Sequence, residues 1–141
     1  MQDSDGLNGY YRYVKEAGSL PTKEHARRWS AAVLKTLGMS LGGRTKRSLA
    51  RALPEELGAD LTDIFWLLHF RNKYQTLVEF STAVGRRSGN TDDEFAVLPI
   101  RAVFGGLKAL IESDLERRVA DSLPPQIAEL WRGAPTVKDG Q

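Results

Sequence analysis

Arg44, Arg47 and Arg51 follow one another at i, i+3 and i+7, which sets three guanidinium groups on one face of a helix. Such a row can track phosphates or grip carboxylates, because each guanidinium is a planar fork of charged donors. Arg27, Arg28 and Lys35 add charge just upstream, and from Thr22 to Arg51 there are eight Lys/Arg against one acid. Arg28, Lys35, Arg44, Arg47 and Arg51 are therefore the candidate contact residues for a nucleic acid or an acidic partner. The default for such a stripe is a solvated helix face, and Glu55, Glu56 and Asp60 lie near enough to neutralise part of it.

Other chemistry has thinner footing. His25 and His69 are the only histidines, without the HxxxH or HExxH spacing that would bring two ligands to one face. Both read as structural side chains, with His69 at the edge of a core. Glu24 and Glu94 recur 70 positions apart, but residues 27 and 97 are arginine and valine, so the Glu-x-x-His pairs of a di-metal bundle are missing. Each glutamate reads instead as a first-turn acid that favours the helix dipole. Gly42-Gly43-Arg44-Thr45-Lys46 has the wrong spacing for a phosphate loop and no strand before it. No serine or threonine has a positioned histidine and acid, so no nucleophilic triad can be argued. No cofactor, metal or catalytic residue is expected.

The 141 residues, with 41% hydrophobic and 27% charged, suit one globular domain. A net charge of +2 gives no global pull toward nucleic acid or anionic lipid. The chain has no cysteine, which excludes disulfides and thiolate sites and fits a cytoplasmic location. The window 64–70 is the most apolar, far short of the roughly 20 residues of a membrane span. Asp3 and Asp5 near the start do not read as a signal peptide. No membrane association is expected.

The elements that must carry these residues emerge from an internal repeat. Shifting the chain by 70 positions gives 11 identities over the 55 gapless pairs from 7/77 to 61/131. Leu53-Pro54 falls on Leu123-Pro124, Ala32-Val33 on Ala102-Val103, and Leu37 on Leu107. Several unmatched pairs stay apolar, among them Tyr10/Phe80, Leu34/Phe104, Leu57/Ile127 and Leu61/Trp131.

Each unit reads as four helices. The first spans 7–17 and 77–87, on stripes led by Leu7, Tyr10, Tyr11 and Val14, and by Leu77, Phe80 and Val84. The second opens at Thr22 or Asp92, both suited to an N-cap. Its buried stripe is Ala26, Trp29, Val33 and Leu37, matched by Ala96, Pro99, Val103 and Leu107. Pro99 predicts a kink or a late start. The third spans 45–52 and 115–122, stopped by Leu53-Pro54 and Leu123-Pro124. The fourth starts at each proline, and in the first unit it is expected to continue through 64–70. The aromatic and basic stretch 69–74 reads as a junction, with a stacking surface as the alternative. The expected fold is all-α: a tandem duplication of a four-helix unit forming one compact bundle with pseudo-twofold related halves. Residues 1–6 and 133–141 are expected as tails, with units at 7–70 and 71–132.

This pattern resembles the bacterial helical family catalogued as domain of unknown function 2267. The carrying residues are Ala31-Ala32-Val33-Leu34 with Leu37, then 49–57 around Leu53-Pro54-Glu55. In the second unit they are Ala102-Val103-Phe104 with Leu107, then 119–127. Pro99 and Gly105-Gly106 depart from the pattern. The resemblance implies a compact bundle and transfers no activity and no catalytic residue.

The expected role is a non-enzymatic helical interaction module, engaging a protein partner or a second copy of itself. A nucleic-acid-associated protein using the Arg44/Arg47/Arg51 face is the alternative, and a ligand- or metal-dependent enzyme comes third.

Overall fold

Short polar side chains and prolines punctuate the chain into helices. Thr22 opens α2 (Lys23–Ser40), its hydroxyl accepting from the His25 backbone N–H at 3.1 Å. Thr76 opens α5 (Leu77–Ser88) with a reciprocal pair of bonds. Its hydroxyl accepts from Glu79 N–H at 3.1 Å, and the Glu79 carboxylate accepts from Thr76 N–H at 2.9 Å. Four first-turn N–H groups have no partner inside any helix, so each such cap stabilises by about 1 kcal/mol. Leu53-Pro54 ends α3 (Gly43–Ala52) and leads into α4 (Glu55–Thr62). Leu123-Pro124 does the same between α7 (Ser113–Ser122) and α8 (Pro125–Gly133).

The computed structural model describes residues 2–62, 75–89 and 93–135. Among these residues there are eight helices, no strand, and no helix long and apolar enough to cross a membrane. The expected continuation of the fourth helix through 64–70, the 69–74 junction, Trp66, His69, the Asp92 cap and residues 136–141 lie outside the described residues, as does the Glu94 side chain.

Several boundaries differ from expectation, among them the starts of α3 and α7, each two positions earlier than the expected 45 and 115. Helix α1 (Gln2–Ala17) starts five positions before Leu7, since packing of its second half can carry a polar first turn. Helix α6 (Asp93–Leu110) runs through Pro99 rather than starting after it. Pro99 is buried there, and its Cα faces the end of α1, where a Cβ on Gly18 would meet it at 3.4 Å. Residues Gly133, Ala134 and Pro135 are also tied down rather than frayed. Ala134 is buried, and the Pro135 carbonyl accepts from the Tyr13 hydroxyl at 3.2 Å.

The core lies between the long helices. Helix α1 packs on α2 and α6, α5 packs on α6 and α2, and α2 also meets α6. Helices α4 and α3 close one side, α8 and α7 the other, with α3 against α7. Ala26, Trp29, Val33 and Leu37 are all buried, as are Ala96, Val103 and Leu107. Leu7 and Ala17 are only partly covered, so the α1 stripe narrows to Tyr10, Tyr11 and Val14. Phe104 stands between Phe80 and Trp131, with centroids 6.0 and 5.2 Å away. The Trp131 ring N–H donates to the Glu116 carbonyl at 3.1 Å, so this indole satisfies its polar end while fully buried.

Three residues of α6 that look out of place have structural work. Lys108 is only 4% exposed. Its ammonium donates to the carbonyls of Trp131 (2.8 Å), Arg132 (3.3 Å) and Ala134 (2.8 Å). It thereby caps the C-terminus of α8, where free carbonyls and the helix dipole favour a cation. The glycine pair Gly105-Gly106 lets α1 approach. A Cβ on Gly106 would strike the Tyr10 ring at 2.9 Å, and one on Gly105 would strike the Pro135 carbonyl oxygen and the Tyr13 hydroxyl. Alanine is the better helix former by about 1 kcal/mol, yet Gly105→Ala should destabilise by about 1–3 kcal/mol through overpacking. Denaturant unfolding measures this; a variant as stable as the parent would contradict the close approach.

Candidate functional site: an exposed arginine row on α3

Helix α3 buries only Leu49 fully and turns its basic side chains outward. Arg44, Arg47 and Arg51 are all exposed. Among the described residues none of the three makes an ion pair or a hydrogen bond through its side chain. Lys46, between them, is partly covered; burial lowers its pKa, and the Arg47 charge lowers it further. The glycines before the row do not form an open anion loop. Gly43 already belongs to α3, and the Gly42 N–H donates to the Ser122 hydroxyl at 3.1 Å.

The corresponding stretch of α7 is arranged differently. Asp114 is held by Arg117 at 2.7 Å, and Asp121 by Arg132 at 3.2 Å. The acids Asp114 and Asp121 of α7 are therefore each paired with an arginine, while α3 carries no acid at all. The two helices touch through a pair of polar bonds, Gly42 to Ser122 and Ser48 to Arg118 at 3.1 Å. Rising numbers on α3 meet falling numbers on α7, so the helices pack in opposite senses. Arg118 was not a candidate from sequence, because only the α3–α7 contact brings it to the row. Arg28 and Lys35 remain on α2, whose main packing partners are α1, α4, α5 and α6. Arg28 is exposed and Lys35 partly buried.

The remaining chemical groups are engaged elsewhere. The His25 ring Nδ1 lies 2.7 Å from the Thr22 hydroxyl, which ties that histidine to the start of α2. No group of three His, Cys, Asp or Glu among the described residues could hold a metal ion. Open surface depressions occur, one of about 270 Å³ between α7 and α8 and another of about 390 Å³ lined by Asn8, Arg12, Lys15, Glu16 and Lys23.

Among the described residues the most perturbed titratable groups are Tyr10 and Tyr11, whose side chains are buried. The Tyr10 hydroxyl lies 2.6 Å from the Ser30 hydroxyl. Tyr11 donates to the Glu56 carboxylate at 2.5 Å, and Arg27 reaches the same carboxylate at 3.5 Å. Burial pushes both hydroxyls well above the ordinary tyrosine range; for Tyr11 the bond to Glu56 and its charge raise it further. These contacts tie α1 to α2 through Ser30 and to α4 through Glu56.

The sequence matches no family model, and a search of the curated proteins finds no match.

The tyrosines carry a pH consequence. The unfolded chain ionises them near pH 10, whereas the folded chain keeps them protonated to higher pH. Above about pH 10 the unfolded state then binds fewer protons, so stability is intact below that pH and falls as pH rises. Thermal unfolding from about pH 9 to about pH 12 should show a falling midpoint, and Tyr10→Phe should flatten the fall. Identical alkaline profiles for parent and variant would contradict this assignment.

Proposed function

We propose that the chain is a duplicated helical interaction module, without chemistry of its own, that docks an anionic partner on the outer face of α3. The duplication has support from several sides. Helices α2 and α6 start at Lys23 and Asp93, α3 and α7 at Gly43 and Ser113, and α4 and α8 at Glu55 and Pro125, each pair 70 positions apart. Burial recurs at the same offset: Val33/Val103, Leu37/Leu107, Leu49/Val119 and Leu57/Ile127 are all buried. Packing is reciprocal, α1 lying on α6 where α5 lies on α2. Ser48 and Arg118 are equivalent positions in the repeat, and they bond to each other. A contact between equivalent residues is what a pseudo-twofold axis between α3 and α7 would produce. The resemblance to domain of unknown function 2267 points the same way and adds no activity.

One observation carries the functional part. The same helix face is self-neutralised on α7 and left as three unpaired arginines on α3. Folding explains features that both units hold; an exposed arginine row in one unit leaves its guanidinium forks open to an anionic partner. The absence of cysteine and of an apolar helix able to cross a membrane among the described residues supports a cytoplasmic setting.

The test is binding of a fluorescein-labelled polyglutamate peptide at low salt. The triple variant R44E/R47E/R51E should weaken binding at least about tenfold, which is about 1.4 kcal/mol. Exchanging the α7 pair (Asp114→Arg with Arg117→Asp) should leave it within about twofold. Equal affinity of the triple variant and the parent would remove the α3 face from consideration, provided circular dichroism shows both folded.

A further inference from the structure

We propose that Arg118 completes the α3 row into a four-arginine site for the phosphodiester backbone of a nucleic acid. The inference rests on the docking role of α3 and names the partner's chemistry. Ser48 lies four residues after Arg44 and three before Arg51, so it shares their face. The Arg118 guanidinium donates to the Ser48 hydroxyl at 3.1 Å, which brings a fourth cation beside the row.

Such crowding costs free energy unless counter-charge is near. The nearest sequence acids of α7 do not supply it, since Asp114 and Asp121 are engaged by Arg117 and Arg132. Glu116 lies 3.9 Å from the Lys108 ammonium, on the inner side of α7. Glu55 and Glu56 open α4 just beyond Arg51 and can offset part of the row; a bound anion would supply counter-charge along the rest of it.

The surface favours phosphates over an acidic protein. Protein interfaces take most of their affinity from a few anchors, chiefly Trp, Tyr and Arg, packed into desolvated pockets at the centre of the contact. The exposed large hydrophobic residues among the described ones are Val78 and Leu98, at 61% and 45% exposure, and neither is on α3 or α7. The outer face of α3 offers arginines and a serine. Arginine forks bind phosphate oxygens through paired donors. From Arg44 to Arg51 the helix rises about 10 Å, about three steps of one strand at about 3.4 Å of axial rise each and hence about four phosphates. Contacts of this kind position a strand without reading its bases.

The experiment is fluorescence anisotropy with a labelled mixed-sequence duplex of roughly 20 base pairs, titrated at several salt concentrations, beside labelled polyglutamate. Four phosphate contacts predict that affinity falls about 150-fold between about 50 and about 200 mM salt. Arg118→Ala should reduce that fall to about 40-fold, one contact fewer. Arg118→Lys guards against a misfolded alanine variant: it should keep the parent's salt dependence and bind a few-fold more weakly. A salt slope unchanged in Arg118→Ala, or no binding of the duplex, overturns the proposal. Arginine-dependent binding of polyglutamate without duplex binding would leave the docking role standing and remove the phosphodiester assignment. Binding of neither probe would remove both.

Discussion

The close approach of α1 to α6 is the contact on which most of the other packing rests. It requires Gly105-Gly106, because a side chain at either position would meet Tyr10, Tyr13 or the Pro135 carbonyl. With α1 seated, Tyr10 reaches Ser30 and Tyr11 reaches Glu56, which ties α1 to α2 and to α4. Tyr13 holds Pro135 at the other end of the chain, and Lys108, one turn further along α6, gathers the carbonyls of Trp131, Arg132 and Ala134. The beginning and the end of the described chain are thus fastened to the same stretch of one helix. A similar relation, α5 on α2, holds on the opposite side.

This arrangement leaves α3 and α7 at the margin, joined to each other and to α4 and α8. Both bury little of their own surface, so their outward residues are free of packing demands and can diverge. On α7 that freedom is taken up by acid–arginine pairs, which contribute little stability when exposed. On α3 it is taken up by arginines alone. The contrast is informative because both helices sit in similar packing, so the fold requires neither pattern.

Much of the fold was legible because it depends on local rules. Thr22 and Leu53-Pro54 announce a start and a stop through backbone chemistry, and the Trp29–Val33–Leu37 stripe announces a buried face by spacing. Gly105-Gly106 and Lys108 were not legible. Each breaks a helical apolar pattern, and each is explained by a partner far along the chain that periodicity cannot name. The polar first turn of α1 has no apolar signal of its own. At the arginine row, the spacing of Arg44, Arg47 and Arg51 could be read directly, while Arg118 became part of it only through a contact between residues 70 positions apart. Arg28 and Lys35 had charge and proximity in sequence to recommend them, but they stand on α2.

Interlocking of this kind makes a specific demand on the energetics. If α1 is held by α6 and α5 by α2, neither half of the chain can open while the other stays closed. Native-state amide hydrogen exchange measures this directly, since it reports an opening free energy for each helix. Interlocked helices should show one value for the slowest amides of α1, α2, α5 and α6, shifted together by Gly105→Ala. Separate opening of α1–α4 and α5–α8, with Gly105→Ala affecting only the second set, would contradict it.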